Sequence, residues 1–358
     1  MELHCQNTLI YLDEKRMTNK QPRSTNVRVF KNYPKTDVRY LLQHRKFDLD
    51  TCFLCAESLD IKGSTSEHII PRWAQKRFDL WDQTMVLLNG TDIPYRYLTV
   101  PCCDECNRYQ LQPIETLISS AVDRGAIAVR TLGTKVIYLW LSKIFFGILY
   151  KELFLNNNRE SLDPQKILDP EIIKNYESLL FFLQEARGKV ETVDFCPGSI
   201  FVFNTQTPND IRVQWDFCDN IDTWVIAIRM GQVGIIAALG DGGAQNDVDS
   251  MDHLKDFFLN PIQFRELCAV VSYRATLATR VPKYVSFSEP RIDVIKTVQL
   301  PLGGYSFKPL FEEWDFDVFA KHLAFHTRKS LQEIRPHPNK IVSFIYDESG
   351  NLRFYPIE

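Results

Sequence analysis

Five of the nine cysteines in this 358-residue chain lie in two short clusters, and their placement constrains the fold more than any other feature. The first cluster is CFLC, with Cys52 and Cys55, and the second is CCDEC, with Cys102, Cys103 and Cys106. In a reducing compartment, clustered pairs indicate a metal site rather than disulfides. Two C-x2-C pairs can direct four thiolates toward one point with the tetrahedral geometry of Zn²⁺. We therefore predict a structural zinc site whose ligands are Cys52, Cys55, Cys103 and Cys106. Cys102 is then the spare cysteine. The alternative is that these residues are redox thiols or cysteines of the core.

The segment between the two clusters, STSEHIIPRW, contains an adjacent carboxylate and histidine, Glu67 and His68. A lone histidine is more often a structural residue than a reactive one, so the pair by itself does not identify an active site. Ile69 and Ile70 favour a strand, and Pro71 ends regular strand pairing. The pattern predicts that His68 lies on a strand, near its end.

The order of these motifs, C-x2-C, then Glu-His, then C-x2-C-Asn, resembles that of the HNH endonucleases of the ββα-metal (His-Me finger) superfamily. The similar branch is the one in which four cysteines bind a structural zinc. The resemblance is carried by EHIIP and by VPCCDECN, which ends on Asn107, and it covers about residues 50–118. It implies that His68 activates a water molecule, and that Glu67 and Asn107 bind a catalytic divalent cation, Mg²⁺ or Mn²⁺.

The chemistry of phosphodiester hydrolysis requires residues of these types. The reaction needs a base that deprotonates water and a cation that takes up negative charge. His68 suits the base, since an unperturbed imidazole has a pKa of roughly 6.5 and is largely neutral at cellular pH. The side-chain carbonyl of Asn107 suits a hard cation such as Mg²⁺. Glu115 would share a helical face with Asn107, but Pro113 disfavours a continuous helix, so an ordinary solvated or capping carboxylate is the preferred interpretation.

One residue of the family pattern has no counterpart in this chain. Family members carry a middle asparagine that holds the orientation of the histidine, whereas the stretch before the second cluster reads YLTVP. Thr99, Asn89 or a backbone carbonyl would have to orient His68, or the site is impaired. Asn89 lies in LNGT, which is first of all a turn signal. The alternative function is therefore a non-catalytic zinc-binding module that binds nucleic acid or a protein partner.

Positive charge for contact with phosphate is available beside the predicted site. The stretch PRWAQKR supplies Arg72, Lys76 and Arg77, and Arg108 follows directly after Asn107. A solvated amphipathic helix explains the first three about equally well. Residues 1–49 form a predicted basic arm that would track a phosphate backbone, with a solvated loop as the alternative. The formal charge of −3 gives the whole chain no electrostatic preference for nucleic acid.

The chain changes character after the second cluster. Residues 117–155 are typical of one or two apolar helices, and residues 169–189 of an amphipathic helix. Alternating or apolar runs between residues 199 and 240 predict an antiparallel meander, which a helix over 261–279 follows. The last residues, 340–358, predict a hairpin.

These elements predict an α+β fold. A small zinc-stapled ββα-metal nuclease module at 50–118 follows the basic arm at 1–49. A larger α+β domain, with helices and an antiparallel sheet, occupies 119–358 and would serve recognition, regulation or assembly. His322 and His326, four residues apart in this domain, lack a nearby acidic or cysteine partner in sequence, so we do not predict a metal site there.

The apolar runs and the N-terminal residues bear on the location of the protein. The longest apolar run, residues 136–150, is too short for a membrane span and carries Lys143, so no membrane association is expected. The N-terminus lacks the pattern of a signal peptide, so we expect a cytoplasmic protein. The resemblance to HNH endonucleases implies metal-dependent hydrolysis of DNA, with RNA not excluded, in restriction or phage defence. Possible assemblies are a homodimer and a defence complex that contains this chain as a subunit.

Overall fold

The computed structural model describes residues 37–156, 166–248, 251–288, 293–302, 308–338 and 340–356. Most of the predicted basic arm, residues 1–49, lies outside the described residues. The fold is α+β, as predicted, with helices and mainly antiparallel sheets. Within the described part of the chain, no helix has the length and apolar character needed to cross a membrane.

The α-helices are α1 (Val38–His44), α2 (Leu59–Lys62), α3 (Arg72–Arg77), α4 (Gln112–Arg124), α5 (Ala126–Arg130), α6 (Thr134–Glu152), α7 (Pro170–Ile173), α8 (Glu177–Leu183), α9 (Ala244–Val248), α10 (Pro261–Leu277), α11 (Phe316–Thr327) and α12 (Leu331–Ile334). The strands are β1 (Ser64–His68), β2 (Thr84–Val86), β3 (Asp92–Pro94), β4 (Thr99–Cys103), β5 (Val190–Thr192), β6 (Ser199–Asn204), β7 (Trp215–Asn220), β8 (Val225–Met230), β9 (Val233–Ala238), β10 (Tyr284–Phe287) and β11 (Ile295–Gln299). A π-helical segment, Glu105–Leu111, leads directly into α4.

The chain forms two compact units, each made of segments that are distant in sequence. The first unit contains the described residues of Met1–Thr116, Ser142–Val193 and Val285–Thr297. The second contains those of Leu117–Leu141, Asp194–Tyr284 and Val298–Glu358. The predicted domains at 1–49, 50–118 and 119–358 are contiguous, whereas these units are not. Packing between distant segments determines compact units, and the spacing of motifs along a chain does not reveal it.

The first unit is built around the antiparallel pair β1–β4, in which His68 lies opposite Thr99 and Ser64 opposite Cys103. Two strands followed by the helical run from Glu105 give a ββα arrangement. Strand β1 ends at His68, so the prediction that Ile69 and Ile70 continue it is wrong, although His68 does lie at the strand end. Both isoleucines are fully buried, which accounts for their apolar character without strand pairing.

Helix α6 supplies apolar side chains to the core of the first unit through its residues from Ser142 onward. Residues 141–150 are all buried, which agrees with the predicted buried helix. Gly147 lies against Ile69, and a Cβ at this glycine would approach the Ile69 Cγ1 atom to 3.1 Å. The missing side chain therefore lets the helix pack closely beside the end of β1.

The second unit contains a four-stranded antiparallel sheet with the order β6-β9-β8-β7. Strands β7, β8 and β9 form the predicted meander, but β6 pairs with β9 rather than with β7. The segment between β6 and β7 is longer than the turns between the other strands, so β6 can reach the opposite edge. Helix α10 begins at a capping box on Asn260 and packs Phe264 and Leu267 into the core beneath the sheet.

Two other elements differ from their predictions. The helix predicted over 169–189 is divided into α7, α8 and two short 3₁₀ segments, Lys174–Tyr176 and Gln184–Arg187. The predicted C-terminal hairpin is reduced to an isolated bridge between Tyr346 and Leu352 around a turn. Apolar periodicity indicates which residues are buried, but tertiary contacts decide whether the backbone hydrogen bonds continue.

His326 is a buried neutral histidine of the second unit. Its burial predicts that the free energy of unfolding depends on pH. Its Nδ1 atom lies 3.4 Å from the Cys218 sulfur. Burial, together with the nearby Arg265 charge, lowers the pKa of His326 to about 3. In the unfolded chain the pKa is about 6.5, so the stability from this group is present above that pH and is lost as the pH falls toward 3.

We therefore expect His326 to account for about 2 kcal/mol of the unfolding free energy lost between pH 7 and pH 5. The measurement is the shift in urea midpoint between these pH values for the wild-type protein and for His326→Asn. The variant should show the smaller shift, because the asparagine does not titrate. Zinc release at low pH would affect both proteins equally. Equal shifts in the two proteins would show that His326 is not the titrating group.

Candidate functional site

The four predicted zinc ligands form one cluster in the first unit. The sulfur atoms of Cys52, Cys55, Cys103 and Cys106 all lie within 4.8 Å of one another, and all four residues are buried. The Cys55 and Cys103 sulfurs are 3.8 Å apart. Tetrahedral Zn²⁺ with bonds of about 2.3 Å requires sulfur separations of about 3.8 Å. The cluster therefore has ligands and spacing that fit a metal ion such as zinc.

Backbone hydrogen bonds shape the two cysteine turns. In the first, the Cys52 amide donates to the Glu57 carbonyl at 2.9 Å, and Ala56 adopts a positive φ of 58°. The Phe53 amide donates to the Pro101 carbonyl at 2.8 Å and so ties the first turn to strand β4. In the second, the Cys106 amide donates to the Cys103 sulfur at 3.4 Å.

A half-buried arginine and a buried glutamine support the first cysteine turn. The Arg45 guanidinium donates to the carbonyls of Cys52, at 3.2 Å, and of Phe53. The Gln184 side-chain amide donates to the Leu54 carbonyl at 3.0 Å. The Cys52 carbonyl also accepts from the Ala56 amide at 2.9 Å, so these side chains are the donors to the Phe53 and Leu54 carbonyls. Arg45 lies seven residues before Cys52, and no motif in the sequence identified it or Gln184 as a partner of this turn.

Sulfur–sulfur hydrogen bonds, the first of them from Cys102, lower the pKa of the Cys52 thiol. The hydrogen bond to Cys52 and burial together raise the pKa of Cys102, whose sulfur lies 3.9 Å from that of Cys52. Binding of a divalent cation by four thiolates releases protons, so its affinity rises with pH.

Glu67 and His68 are both buried at the end of β1. Successive strand residues face opposite sides, so the two side chains have different surroundings. The Arg72 Nε–H group lies 3.4 Å from the His68 Nε2 atom. Burial lowers the pKa of His68, and the charges of Arg72 and Lys143 lower it further. His68 is therefore a neutral imidazole at cellular pH, able to accept a proton.

Lys143 of α6 is the residue of this site that the sequence did not identify. Its ammonium forms ion pairs with the carboxylates of Glu67 and Glu115, the latter at 2.8 Å. It also donates to the carbonyls of His68 at 2.6 Å and Ile69 at 3.2 Å. Only 2% of the Lys143 side chain is exposed. Its position in the middle of an apolar helix could have indicated this role, because a charged group is rarely buried without partners.

Burial and the nearby Lys143 charge have opposite effects on the pKa of Glu67. Burial raises the pKa of Glu67 to about 7, against the opposing charge of Lys143. Burial also disfavours the Lys143 ammonium, but the two carboxylates outweigh it and raise its pKa to about 12. Lys143 therefore stays charged. One ammonium and two carboxylates give a net charge of −1 when all three are ionised.

Asn107 lies on the same side of β1 as Glu67. Its side-chain amide donates to the Thr65 hydroxyl at 2.9 Å, and that hydroxyl donates to the Cys102 carbonyl at 2.8 Å. Thr65 and Glu67 are two residues apart on one strand and therefore share a face. The bond to Thr65 occupies the amide nitrogen, so the Asn107 Oδ1 atom is the group left to bind a cation.

The helix that carries Asn107 continues through Pro113. The preceding turns are π-helical, with the Gln112 amide donating to the Asn107 carbonyl. The wider turns accommodate the proline, so Glu115 lies on the same helical run as Asn107. Glu115 binds Lys143. Pro113 therefore does not interrupt the helix, and Glu115 is an ion-paired carboxylate rather than a solvated one.

The four predicted phosphate-binding residues differ in their surroundings. Arg72 and Lys76 of α3 are exposed. The Arg77 guanidinium lies over the Trp73 ring, 4.8 Å from its centroid. Arg108 is exposed and forms an ion pair with Asp104 at 2.7 Å. Arg72 and Lys76 are therefore the better placed of the four to meet a ligand near His68.

Comparisons of the chain with protein-family models, with curated proteins and with solved structures gave no match.

Proposed function

We propose that this chain is a metal-dependent endonuclease of the HNH type, which hydrolyses phosphodiester bonds in DNA. One observation supports this most strongly: a ββα arrangement, clamped by four cysteines, carries a neutral buried histidine at the end of its first strand. Glu67 lies beside this histidine, and Asn107 lies on the strand face that Glu67 occupies. The chemistry of water activation requires residues of these types close together.

His68 is the proposed general base. Its neutral imidazole accepts a proton from the attacking water, and the nearby Arg72 and Lys143 charges disfavour the imidazolium. The Arg72 guanidinium lies next to the base and is exposed, so it can also contact a phosphate oxygen. Contact with the phosphate would draw Arg72 away from the His68 Nε2 atom.

Glu67 and Asn107 are the proposed holders of a divalent cation, Mg²⁺ or Mn²⁺. Lys143 binds the Glu67 Oε1 atom, which leaves Oε2 as the carboxylate oxygen for a cation. Asn107 offers Oδ1. Oxygen ligands and a net charge of −1 suit a hard divalent cation. Such an ion, when bound, takes up negative charge on the phosphoryl and leaving oxygens. The Zn²⁺ held by the four cysteines is proposed to be structural.

The decisive experiment is incubation of the purified protein with supercoiled plasmid and Mg²⁺ or Mn²⁺, with and without EDTA. Metal-dependent nicking is expected. Single-stranded DNA and RNA serve as further substrates, because the site itself does not distinguish them. Nicking in a monomer and double-strand cleavage in a dimer would be resolved on the same gel. A role in phage defence is part of the proposal and would be tested by phage plating on cells that express wild-type protein or His68→Ala.

Asn107→Ala is expected to lower nicking at low millimolar Mg²⁺ by about 100-fold, because a cation ligand is lost. Raising Mg²⁺ or using Mn²⁺ should restore part of the rate, since a weakened site fills by mass action. The measurement is the initial nicking rate over a metal titration. Salt-dependent DNA binding should be retained, because it depends on Lys and Arg contacts with phosphate. An unchanged metal dependence would remove Asn107 from the proposed site.

A non-catalytic zinc-binding module is the second candidate. The ion pair between Glu67 and Lys143 favours it, because the ammonium already neutralises a carboxylate that would hold the cation. Such a protein would bind nucleic acid or a partner, yet no divalent ion would produce strand breaks. Salt-sensitive binding without cleavage of any of the substrates would establish this candidate over the nuclease.

A further inference from the structure

Lys143, a residue of helix α6, binds the main chain at His68, the proposed base. Lys143 donates to the carbonyls of two consecutive residues, His68 and Ile69, at the point where β1 ends. His68 is the last paired residue of β1, opposite Thr99, and the Ile69 carbonyl lies just beyond the β1–β4 pairing. The same ammonium binds Glu67 and Glu115, so its position is fixed from four directions.

The other residues that could orient His68 do not make comparable contacts. Asn89 accepts from the amide and the hydroxyl of Thr91 and so stabilises its own turn. Thr99 lies opposite His68 in the strand pair, but among the described residues its hydroxyl forms no hydrogen bond to the imidazole. Arg72 contacts the ring, at 3.4 Å, and not the backbone. Among the described residues, Lys143 is therefore the side chain that binds the His68 carbonyl.

We propose that Lys143 is a positioning residue of this site: its ammonium anchors the His68 and Ile69 carbonyls and one oxygen of Glu67. This role rests on the proposed nuclease function. Lys143 does not touch the substrate, and it acts through the placement of the base and of the Glu67 carboxylate. A small displacement of a catalytic group is enough to lower a rate by about 100-fold.

A pair of variants that differ in net charge distinguishes two roles of the Lys143 ammonium. The first role is to anchor the backbone, and the second is only to neutralise the carboxylates. Lys143→Met removes the anchor and changes the net charge of the group from −1 to −2. Lys143→Met/Glu115→Gln removes the anchor but restores −1. Glu115→Gln keeps the lysine contacts with Glu67, His68 and Ile69. If the ammonium only neutralises charge, the double variant recovers; if it anchors the backbone, the double variant does not.

The first readout is nicking of plasmid DNA at saturating Mg²⁺. Lys143→Met is expected to lower kcat by about 100-fold, with KM for DNA within about threefold of wild type and with zinc content retained. The double variant is expected to stay about as slow as Lys143→Met, and Glu115→Gln to lose much less. Recovery of the double variant to the rate of Glu115→Gln would overturn the proposal, as would a kcat of Lys143→Met close to wild type.

The second readout does not depend on activity. The Ile69 amide donates to the Leu98 carbonyl at 2.9 Å, so its hydrogen exchange reports the order of this turn. Exchange at Ile69 is expected to be at least about tenfold faster in Lys143→Met and in the double variant than in wild type. Unchanged exchange would overturn the anchoring role even if the rate falls. If the wild-type protein does not cut, the nuclease proposal fails while this measurement still tests the anchor.

A third variant covers the case in which Lys143→Met does not fold. Lys143→Gln keeps a neutral donor that can reach one carbonyl. We expect the hydrogen exchange rate at Ile69 and the kcat of Lys143→Gln to lie between the wild-type values and those expected for a protein without the anchor. Wild-type values of both in Lys143→Gln would contradict the proposal, because a single uncharged donor cannot replace four ammonium contacts.

Discussion

Replacing His68 with alanine is expected to lower metal-dependent nicking by about 10²–10⁴-fold, the usual contribution of a general base. The imidazole is neutral, buried at the end of β1 and close to Arg72, so it can accept a proton where a phosphate can bind. The four-cysteine cluster contains no atom of His68 or Arg72. Zinc content, measured by mass spectrometry, and DNA affinity at fixed salt should therefore remain close to wild type.

His44→Ala is a matched control for this experiment. His44 belongs to the same unit and is exposed, with Nδ1 near the Tyr40 carbonyl. Its replacement should leave the nicking rate unaffected. Undiminished nicking by His68→Ala would show that another residue is the base. A loss of zinc in His68→Ala would mean that its inactivity reflects misfolding, and His68→Asn would then replace it.

Replacing Cys103 with serine is expected to reduce bound zinc from about one ion per chain to well below half, and to reduce the soluble yield strongly. Cys103 is the last residue of β4, and Cys55 and Cys106 reach the same point from other segments. A metal ion bound there would therefore join parts of the chain that a small strand pair cannot hold by itself. Zinc analysis and size-exclusion chromatography measure both effects.

Cys102→Ser is the matched control for the zinc prediction. Cys102 is adjacent to Cys103 and equally buried, and its sulfur lies 3.9 Å from that of Cys52, but it is outside the cluster of four. Its replacement should preserve the zinc content. If Cys102→Ser loses zinc and Cys103→Ser keeps it, the ligand set contains Cys102 instead.

The four-cysteine cluster is the part of the site that the sequence predicted best. Two C-x2-C pairs have a fixed local geometry, because each short turn directs both sulfurs to one side, whatever lies between the pairs. The strand-end position of His68 was predicted for a similar local reason, since Pro71 limits how far pairing can extend. The α+β class followed from the periodicity of the longer segments.

The sequence by itself thus determined the ligand cluster, the strand end that carries His68 and the mixture of helices and sheets, all of which depend on near neighbours in the chain. Only the tertiary structure revealed that Lys143, 75 residues after His68, binds its carbonyl, and that Arg45 and Gln184 support the first cysteine turn. It also decided that β6 pairs with β9 and that 142–193 belong to the first unit. These contacts depend on which buried polar groups meet after distant segments pack, and local patterns of residue type do not specify those meetings.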